Sequence, residues 1–416
     1  MNYTSTMQTK TDEHPLPEGW QLIQLGKICQ PIRGVTFQSG EAKALPFEDS
    51  IACITTSGVQ DKIDWESRCY IPKSRLSSEQ QVLRLGDIVV STANSKALVG
   101  KSCVVSHLPF PCTFGAFVTV LRLTNSDVDS TYLSHWFRSP DVLAFFFEVS
   151  ANTTNISNLK VTDILAIEIP LPPLDEQRRI ASRLNEQLTI VESALKAAEE
   201  QLQAAYKLSS LYLREVFDNH TANNWAKVRL GEILNPRKEI IHPYDNPKGP
   251  AIFVGLEHIE SNTGVRIGSV DVEMSKLTGR KPKFYKGDIV YGYLRPYLNK
   301  VWIAEFDGLC SVDQYIYKVD NNKADTSFVA WFMRCPVYLE RAPIDTSPGQ
   351  LPRIRTEEVA SVEINLPPLD EQRKTSLQIT EKLNDTNNLI NALESQLAEI
   401  ESLPASLLRE AFAGQG

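Results

Sequence analysis

The chain has 416 residues, of which 42% are apolar and 23% charged, a composition typical of a globular protein with more than one domain. No secretory signal is recognisable, and the densest apolar run, residues 143–147, is far shorter than the roughly 20 residues of a membrane helix. The seven cysteines are never spaced as Cys-x-x-Cys, which favours reduced, buried thiols in the cytoplasm over a zinc site or a disulfide framework. The net charge of −8 does not indicate nucleic-acid binding, although a balanced total can conceal a basic face.

Residues 1–170 are predicted to form a first globular domain. Stretches rich in β-branched residues and bounded by Gly, Pro and Asn indicate short strands, namely IVVSTA (88–93), CVVSHL (103–108) and AFVTVLRL (116–123). One or two helices follow at about residues 130–147. The domain is therefore expected to be mixed α+β.

Residues 171–217 are predicted to form a long helix. The segment opens with LPPLDEQRR, in which the prolines suit a helix start and Asp175 and Glu176 suit the positive end of the helix dipole. Apolar residues then recur with a seven-residue period, which indicates a coiled coil. The stripe consists of Ala181, Leu184, Leu188, Val191, Leu195, Ala198, Leu202, Ala205, Tyr212 and Val216, with Ser209 as its polar exception.

Residues 218–365 are predicted to form a second globular domain that repeats the order of the first. Three pairs of segments resemble each other: GWQLIQLGKI (19–28) and NWAKVRLGEI (224–233), LRLGDIVVST (83–92) and FYKGDIVYGY (284–293), YLSHWFRSP (132–140) and FVAWFMRCP (328–336). DQYIYKV (313–319) indicates a strand, and helix is expected at about residues 325–340. Trp20 and Trp225, which head the first pair, are expected in the core.

Residues 366–416 are predicted to form a second long helix that duplicates the first. LPPLDEQRK (366–374) repeats LPPLDEQRR after 195 positions, and 19 of the 47 residues in 171–217 are identical in 366–412. The heptad stripe continues through Ile379, Leu383, Ile390, Leu393, Leu397, Ile400 and Leu407, with Thr386 and Pro404 as exceptions. We expect the two helices to pair, and Pro404 to kink the last turns. The alternative is that each helix packs only on its own domain.

Motifs of common enzymes are missing from the sequence. It contains no phosphate-binding or dinucleotide-binding glycine loop, no HExxH and no GxSxG, and its six histidines show no metal-ligand spacing. Asp87 and Asp288 follow a glycine in the two GDIV motifs, where a carboxylate that caps a turn is expected rather than a catalytic one.

With these features the chain resembles the specificity (S) subunit of Type I restriction-modification systems. The resemblance rests on the paired LPPLDEQR openings, each leading into a long helix, and on the GDIV motif in each intervening domain, and it covers essentially the whole chain. It implies two similar mixed α/β target-recognition domains separated by two long helices that form an antiparallel coiled coil, with a pseudo-twofold internal repeat.

The resemblance also implies a function without catalysis. Such a subunit recognises double-stranded DNA for its partners, here reading a bipartite, asymmetric target through two domains at a fixed spacing. Two methyltransferase (modification) subunits and endonuclease/translocase (restriction) subunits would dock on it, and the assembly would be a DNA adenine methyltransferase and ATP-dependent endonuclease. S-adenosylmethionine, ATP and Mg would belong to those partners, with no cofactor bound by this chain.

Candidate DNA-binding residues are polar and basic side chains on loops next to strands, since Arg and Lys suit guanine or phosphate, and Asn and Gln suit adenine. In the first domain they are Thr92, Asn94, Ser95, Lys96, Lys101, Asn152, Thr154, Asn155 and Lys160. In the second domain they are Arg280, Lys281, Lys283, Tyr293, Arg295, Tyr297, Lys300, Gln350, Arg353 and Arg355. A shift of 195 residues places Gln350, Arg353 and Arg355 on Asn155, Asn158 and Lys160.

Two other functions stay open at this point. The chain could be a self-contained nuclease or methyltransferase with an unfamiliar site, against which the missing motifs argue. It could also be a coiled-coil scaffold for proteins that never contacts DNA, a hypothesis that the overall acidity favours.

Overall fold

The structure is a computed structural model that describes residues 16–95, 98–152, 157–219, 222–345 and 351–412. The chain divides into two compact units. Unit 1 comprises Met1–Ala197 and Leu397–Gly416, and unit 2 comprises Ala198–Gln396. Each unit therefore contains part of both long helices.

Unit 1 contains twelve described strands and three short helices, followed by the first long helix. The strands are β1 Gln21–Gln24, β2 Cys29–Arg33, β3 Ser50–Ile54, β4 Cys69–Pro72, β5 Ile88–Ser91, β6 Ala93–Asn94, β7 Ser102–Val104, β8 Cys112–Phe114, β9 Val118–Leu123, β10 Ala151–Asn152, β11 Ser157–Asn158 and β12 Glu168–Leu171. The helices are α1 Ser130–Phe137, α2 Pro140–Val149, α3 Val161–Ala166 and the long α4 Leu174–Phe217.

Unit 2 repeats this order of elements. Its described strands are β13 Ala226–Arg229, β14 Leu234–Pro236, β15 Ile240–Ile241, β16 Pro250–Val254, β17 Val270–Glu273, β18 Lys281–Phe284, β19 Ile289–Gly292, β20 Val301–Ile303, β21 Gly308–Cys310, β22 Gln314–Val319 and β23 Glu363–Leu366. Its helices are α5 Thr326–Arg334, α6 Pro336–Arg341, α7 Thr356–Ser361 and the long α8 Leu369–Phe412.

The sheets of the two units have matching topologies. A four-stranded antiparallel sheet has the order β2-β9-β5-β7 in unit 1 and β14-β22-β19-β20 in unit 2. A second sheet contains one parallel pair in each unit, β3 with β8 and β16 with β21. A terminal ladder joins β1 to β12 and β13 to β23. The predicted duplication of a mixed α/β fold is confirmed at the level of strand pairing.

The cores are formed where apolar strand faces meet the short helices. In unit 1 Ile88, Val90 and Leu121 pack with Tyr132 and Phe137, and Trp20 lies partly buried against this cluster. In unit 2 Trp225 packs against its core and contacts Phe328 edge to face, with ring centroids 6.0 Å apart. The expectation that both tryptophans belong to the core is confirmed.

The repeated LPPLDEQ phrase attaches each long helix to its domain. Gln177 is fully buried, and its amide donates to the carbonyl oxygens of Pro172 at 2.8 Å and Asp127 at 2.9 Å. Its side-chain oxygen accepts the backbone N–H of Asp129, the residue that caps α1, at 2.8 Å.

Gln372 forms the equivalent contacts in unit 2. It donates to the carbonyl oxygens of Pro367 at 2.7 Å and Lys323 at 3.3 Å, and accepts the backbone N–H of Asp325 at 2.8 Å. Asp325 in turn caps α5. The glutamine of the repeated phrase is thus a structural connector rather than a reactive group.

The residues of the heptad stripes are buried or half-buried, and the long helices contact each other within each unit. In unit 1 Ala181 and Leu184, near the start of α4, share a core with Leu408 near the end of α8. In unit 2 Leu213 and Phe217, at the end of α4, share a core with Ile379 near the start of α8. Since the start of one helix meets the end of the other in each unit, the pairing is antiparallel. The same residues also pack on the globular cores, so the pairing of the helices adds to the packing of each helix on its domain.

The second helix continues through Pro404 to Phe412. Within the described residues, no helix is long and apolar enough to cross a membrane. All seven cysteines are free thiols, and six of them are buried.

Candidate nucleic-acid interface

Two polar loops of unit 1 that are distant in the sequence are joined side by side. The short strands β6, β11 and β10 form one small sheet, in which Asn94 is paired with Ser157 and Ala93 with Asn158. The backbone N–H of Leu159 donates to the carbonyl of Thr92 at 2.8 Å. We call this arrangement joint 1, comprising residues 91–95 and 157–160.

Unit 2 contains the same arrangement. Leu294 forms an antiparallel bridge with Arg353, the backbone N–H of Arg295 donates to the carbonyl of Pro352 at 2.7 Å, and Ile354 N–H donates to the carbonyl of Tyr293 at 3.3 Å. We call it joint 2, comprising residues 292–296 and 352–355.

The two joints are equivalent residue by residue. Thr92 N–H donates to the carbonyl of Phe117 at 3.0 Å, and Tyr293 N–H donates to the carbonyl of Asp313 at 3.2 Å. Phe117 and Asp313 directly precede the matching strands β9 and β22. Thr92 and Asn94 therefore correspond to Tyr293 and Arg295.

The side chains of joint 1 differ in their accessibility. Ser95 and Lys160 are exposed, whereas Thr92 is buried and its hydroxyl donates to the carbonyl of Phe117 at 3.2 Å. Asn94 is half-buried and accepts the backbone N–H of Ser95 at 2.8 Å.

Other predicted residues of the first domain lie beside the joint. The ammonium group of Lys101 donates to the side-chain oxygen of Gln60 at 2.8 Å. Asn152 ends β10 and pairs with Ser157 through the backbone. Lys96, Thr154, Asn155 and, in the second domain, Gln350 lie outside the described residues.

Joint 2 carries an aromatic stack with arginines nearby. The rings of Tyr293 and Tyr315 are stacked, with centroids 4.2 Å apart and planes at 16°. Burial raises the pKa of Tyr293, Asp313 and Tyr315 raise it further, and the positive charges of Arg353 and Arg280 oppose the shift. Both arginines therefore lie close enough to act on the stacked phenol, and joint 2 combines positive charge with aromatic faces.

Arg295 and Tyr297 project from the same loop. Arg295 is exposed and has a φ of 54°, in the left-handed region that few non-glycine residues adopt. Tyr297 lies in the following helical turn and is 55% exposed.

Three predicted lysines of unit 2 are held by other protein groups. Lys281 and Lys283 were expected on a loop, but they lie in strand β18, because the KPKF segment pairs with β15 and β21. Lys281 lies over the ring of Phe253 at 4.6 Å, and Lys283 forms an ion pair with Glu239 at 3.1 Å. Lys300 donates to the carbonyl of Leu256 at 2.7 Å.

Arg355, the last residue of joint 2, is exposed, and its backbone N–H donates to Glu358 at 2.6 Å at the start of α7.

Beside joint 1 lies an apolar cleft that the sequence did not reveal. It is lined by Val35, Thr36, Phe37, Ala42, Thr55, Thr56, Gly115, Ala116, Phe117 and Val118. Phe117, which is 63% exposed, was expected inside a strand, but the strand begins at Val118. In the sequence, only the position of Phe117 directly before a run of β-branched residues could have suggested that it lies at the edge of a cleft. In the part of the chain that the structure describes, no group of His, Cys, Asp and Glu could hold a metal ion.

The comparisons with known proteins agree with this architecture. Residues 17–201 match the family model described as Type I restriction modification DNA specificity domain. Over 96% of this chain and 90% of each relative, the sequence is 26% identical to the EcoKI specificity subunit of Escherichia coli (strain K12) and 25% identical to the StySPI specificity subunit of Salmonella potsdam, both Type I restriction enzymes. The chain is thus similar to Type I specificity subunits along nearly its whole length. The match to this domain and these relatives indicate a non-catalytic chain whose function is DNA sequence recognition.

Solved structures show the same fold. The HsdS subunit from Thermoanaerobacter tengcongensis has a TM-score of 0.64 and 19% identity, and the match covers 97% of this chain and 99% of that chain. A chain from a structure on complex assembly and conformational transition of the type I R-M system has a TM-score of 0.71 and 20% identity, with coverage of 96% and 99%. The expected fold class is thus confirmed for this chain.

Proposed function

We propose that this chain reads a bipartite, asymmetric DNA target, one half through joint 1 and the other through joint 2. The observation that carries the proposal is the equivalence of the two joints, which have the same backbone hydrogen bonds but different side chains. The duplication gives each unit a loop pair with the same backbone pairing, and base recognition depends on the side chains that these loops carry. Two different short sequences are the target that such a pair recognises.

The contact residues of the proposal are the exposed and half-buried polar side chains of the joints and their neighbours. Arg353, Arg280 and Lys160 supply positive charge for phosphate oxygens, and Asn94 and Arg295 can address base edges. The stacked Tyr293 and Tyr315 add aromatic surface to joint 2.

The proposal assigns the spacing of the half-sites to the long helices. Each has 44 residues, which corresponds to about 66 Å at about 1.5 Å per residue. The paired apolar stripes favour a stiff element of set length, as two recognition elements need when they bind half-sites at a fixed separation.

The proposal also includes partners that do the chemistry in the cytoplasm. Two methyltransferase subunits and endonuclease/translocase subunits would dock on this chain, and S-adenosylmethionine, ATP and Mg would be bound by them. The relatives are subunits of Type I restriction enzymes, which supports this division of labour. Because the chain has a net charge of −8, basic partner surfaces would add to its affinity for DNA.

The proposal is tested with the complex of the full chain and its methyltransferase subunits, by sequencing the positions that it methylates in genomic DNA. The double variant Arg295→Ala and Arg353→Ala is expected to relax the second half of the target and to leave the first half unchanged, because each side chain that hydrogen-bonds a base supplies about 1–3 kcal/mol of discrimination. The matched control, Lys227→Ala with Arg229→Ala, removes two exposed charges from β13 and should leave both halves unchanged.

A second arm addresses the spacing. Four residues inserted into α4 add about 6 Å and should widen the gap by one or two base pairs at about 3.4 Å each. An unchanged gap would contradict the role given to the helices. Methylation without any sequence preference, or DNA binding by the partners alone with the same preference, would instead favour a protein scaffold that does not touch DNA.

A further inference from the structure

We propose that Asn94 and Arg295 are the equivalent base-reading residues of the two joints, so that the first half of the target contains an adenine where the second contains a guanine. The inference rests on the proposed function and deepens it, because it names one base in each half-site and one residue that reads it.

Matching backbone hydrogen bonds place the two residues at equivalent positions of the joints. Asn94 is paired with Ser157 in joint 1, and Arg295 donates its N–H to the carbonyl of Pro352 in joint 2. The residue two positions earlier, Thr92 or Tyr293, is fixed on both sides by matching backbone hydrogen bonds. The backbone hydrogen bonds therefore match up to this position, where the joints differ in the side chain and in the local backbone, since Arg295 has a positive φ and Asn94 does not.

Arg295 has the geometry of a residue held ready for a ligand. Its φ of 54° is costly for a residue with a side chain, and such conformations persist where the surroundings fix them, often at binding sites. Arg237 and Arg266 of the same unit are bound by Asp288 and Glu305, whereas Arg295 is exposed at the surface of joint 2. A guanidinium fork matches the O6 and N7 acceptors of guanine.

Asn94 retains the two groups that adenine requires. Its side-chain oxygen accepts Ser95 N–H at 2.8 Å, and its amide nitrogen donates to the Ser91 hydroxyl at 3.3 Å. An amide has two acceptor lone pairs and two N–H donors, so one of each remains. The remaining acceptor suits the adenine N6 amino group, and the remaining donor suits N7. The two contacts within the loop also hold the amide in one orientation.

Neighbouring charged residues are better suited to positioning than to reading bases. Lys101, Lys283 and Lys300 are held by Gln60, Glu239 and the carbonyl of Leu256. Arg353 and Arg280 lie within electrostatic range of Tyr293 from two other segments, an arrangement that suits the phosphate backbone. Asn94 and Arg295, by contrast, stand at equivalent positions of the two joints.

The test uses the full chain assembled with its methyltransferase subunits and a duplex library randomised at each position of both half-sites. Arg295→Asn should change one position of the second half-site from guanine to adenine, with a change in relative preference of about 5- to 150-fold. Asparagine tolerates the left-handed backbone, so this variant should fold. Asn94→Arg should produce the reverse change at one position of the first half-site. The matched control Arg229→Asn, on β13, should leave every position unchanged.

Arg295→Lys separates base reading from attraction to phosphate, because it keeps the charge but loses the planar fork. Loss of the guanine preference in this variant supports the inference. Equal weakening on all sequences in Arg295→Asn, with a smaller salt dependence, would mean a phosphate contact and overturn the inference, while the bipartite preference of the wild type would leave the proposed function standing. If Asn94→Arg melts below the wild type, Asn94→Ala replaces it, and an unchanged adenine preference there would also overturn the inference.

Discussion

The two units bury an aspartate at the same turn, but each neutralises it with an arginine from a different strand. Asp87 accepts the backbone N–H of Arg84 at 2.8 Å and is paired with Arg122, on β9, at 2.7 Å. Asp288 accepts the N–H of Tyr285 at 2.9 Å, and its partner at 3.0 Å is Arg237, which follows β14.

The donor strands are neighbours in the matching sheets, since β2 corresponds to β14 and β9 to β22. Both units therefore have a neutralised carboxylate at this turn. The arginine that neutralises it comes from one strand in unit 1 and from the neighbouring strand of the sheet in unit 2. The joints teach the same lesson, because their backbone bonds agree while Asn94 and Arg295 differ.

Breaking the ion pairs is expected to have the largest effect. Asp87→Asn and Asp288→Asn leave a partly buried arginine without its carboxylate, and the loss of one partner from such a pair costs about 3–5 kcal/mol. The Asp288 variant should lie at the lower end, because the Arg237 side chain is 29% exposed and that of Arg122 is 13% exposed. Hydrogen exchange should show the loss mainly in the unit that carries the change.

Replacing both partners gives the control for this prediction. Asp87→Asn combined with Arg122→Met removes the unpaired charge and should recover part of the stability of unit 1. Equal loss of protection in both units from Asp87→Asn would contradict the view that the pairs stabilise each unit separately.

The next largest expected effect is a difference between the two units in how much stability they lose at acidic pH. The pKa of His135 in α1 is lowered from 6.5 to about 4, chiefly by burial and also by nearby Arg138, while the hydrogen bond to the side-chain oxygen of Asn185 and the charge of Asp129 oppose the shift. The equivalent residue of unit 2 is Trp331, which does not titrate. Between pH 6.5 and 4 the unfolded chain binds a proton that folded unit 1 does not, so stability falls as the pH falls, by about 3 kcal/mol at most.

Hydrogen exchange at pH 7 and pH 5 measures this difference. Unit 1 should lose protection at pH 5 more than unit 2 does, and His135→Phe should flatten the pH dependence of unit 1. The same pH dependence in the variant would place the acid sensitivity in other groups.

The smallest expected effect concerns the buried glutamines of the repeated phrase, Gln177 and Gln372. Gln177→Leu leaves the carbonyls of Asp127 and Pro172 and the N–H of Asp129 without their partner, at about 1–3 kcal/mol. Gln203→Leu, at an exposed position of α4, is the matched control and should be near neutral in denaturant unfolding. An equal effect of the two substitutions would show that the buried amide does not hold the helix to its domain.

Much of the architecture could be predicted from the sequence because it depends on local periodicity. The seven-residue repeat predicted both long helices, and the residues of their stripes are buried, as Ala181 and Leu184 are, or half-buried. The glycine before Asp87 and Asp288 predicted two turns capped by a carboxylate, and both turns are confirmed.

The partners across the fold could not be predicted in this way. Arg122 and Arg237 reach their aspartates from strands that only the folded sheets bring near. The sequence indicated the two polar loops of joint 1 but not that they pair. No periodicity links Asn94 to Ser157, because their pairing depends on the path of the chain between them. The KPKF segment resembled a loop because its lysines are polar, although Phe253 and Glu239 accommodate them in a strand.

Gln177 and Gln372 bind only main-chain atoms of the domains that they hold. The residues whose carbonyls they contact are accordingly unlike, Asp127 in one unit and Lys323 in the other. Because these hydrogen bonds involve only main-chain atoms, the attachment of the helix does not depend on the side chains of the domain. A recognition domain could thus be exchanged for one with a diverged sequence without changes in the long helix to which it attaches. Such an exchange would alter the specificity of the whole subunit.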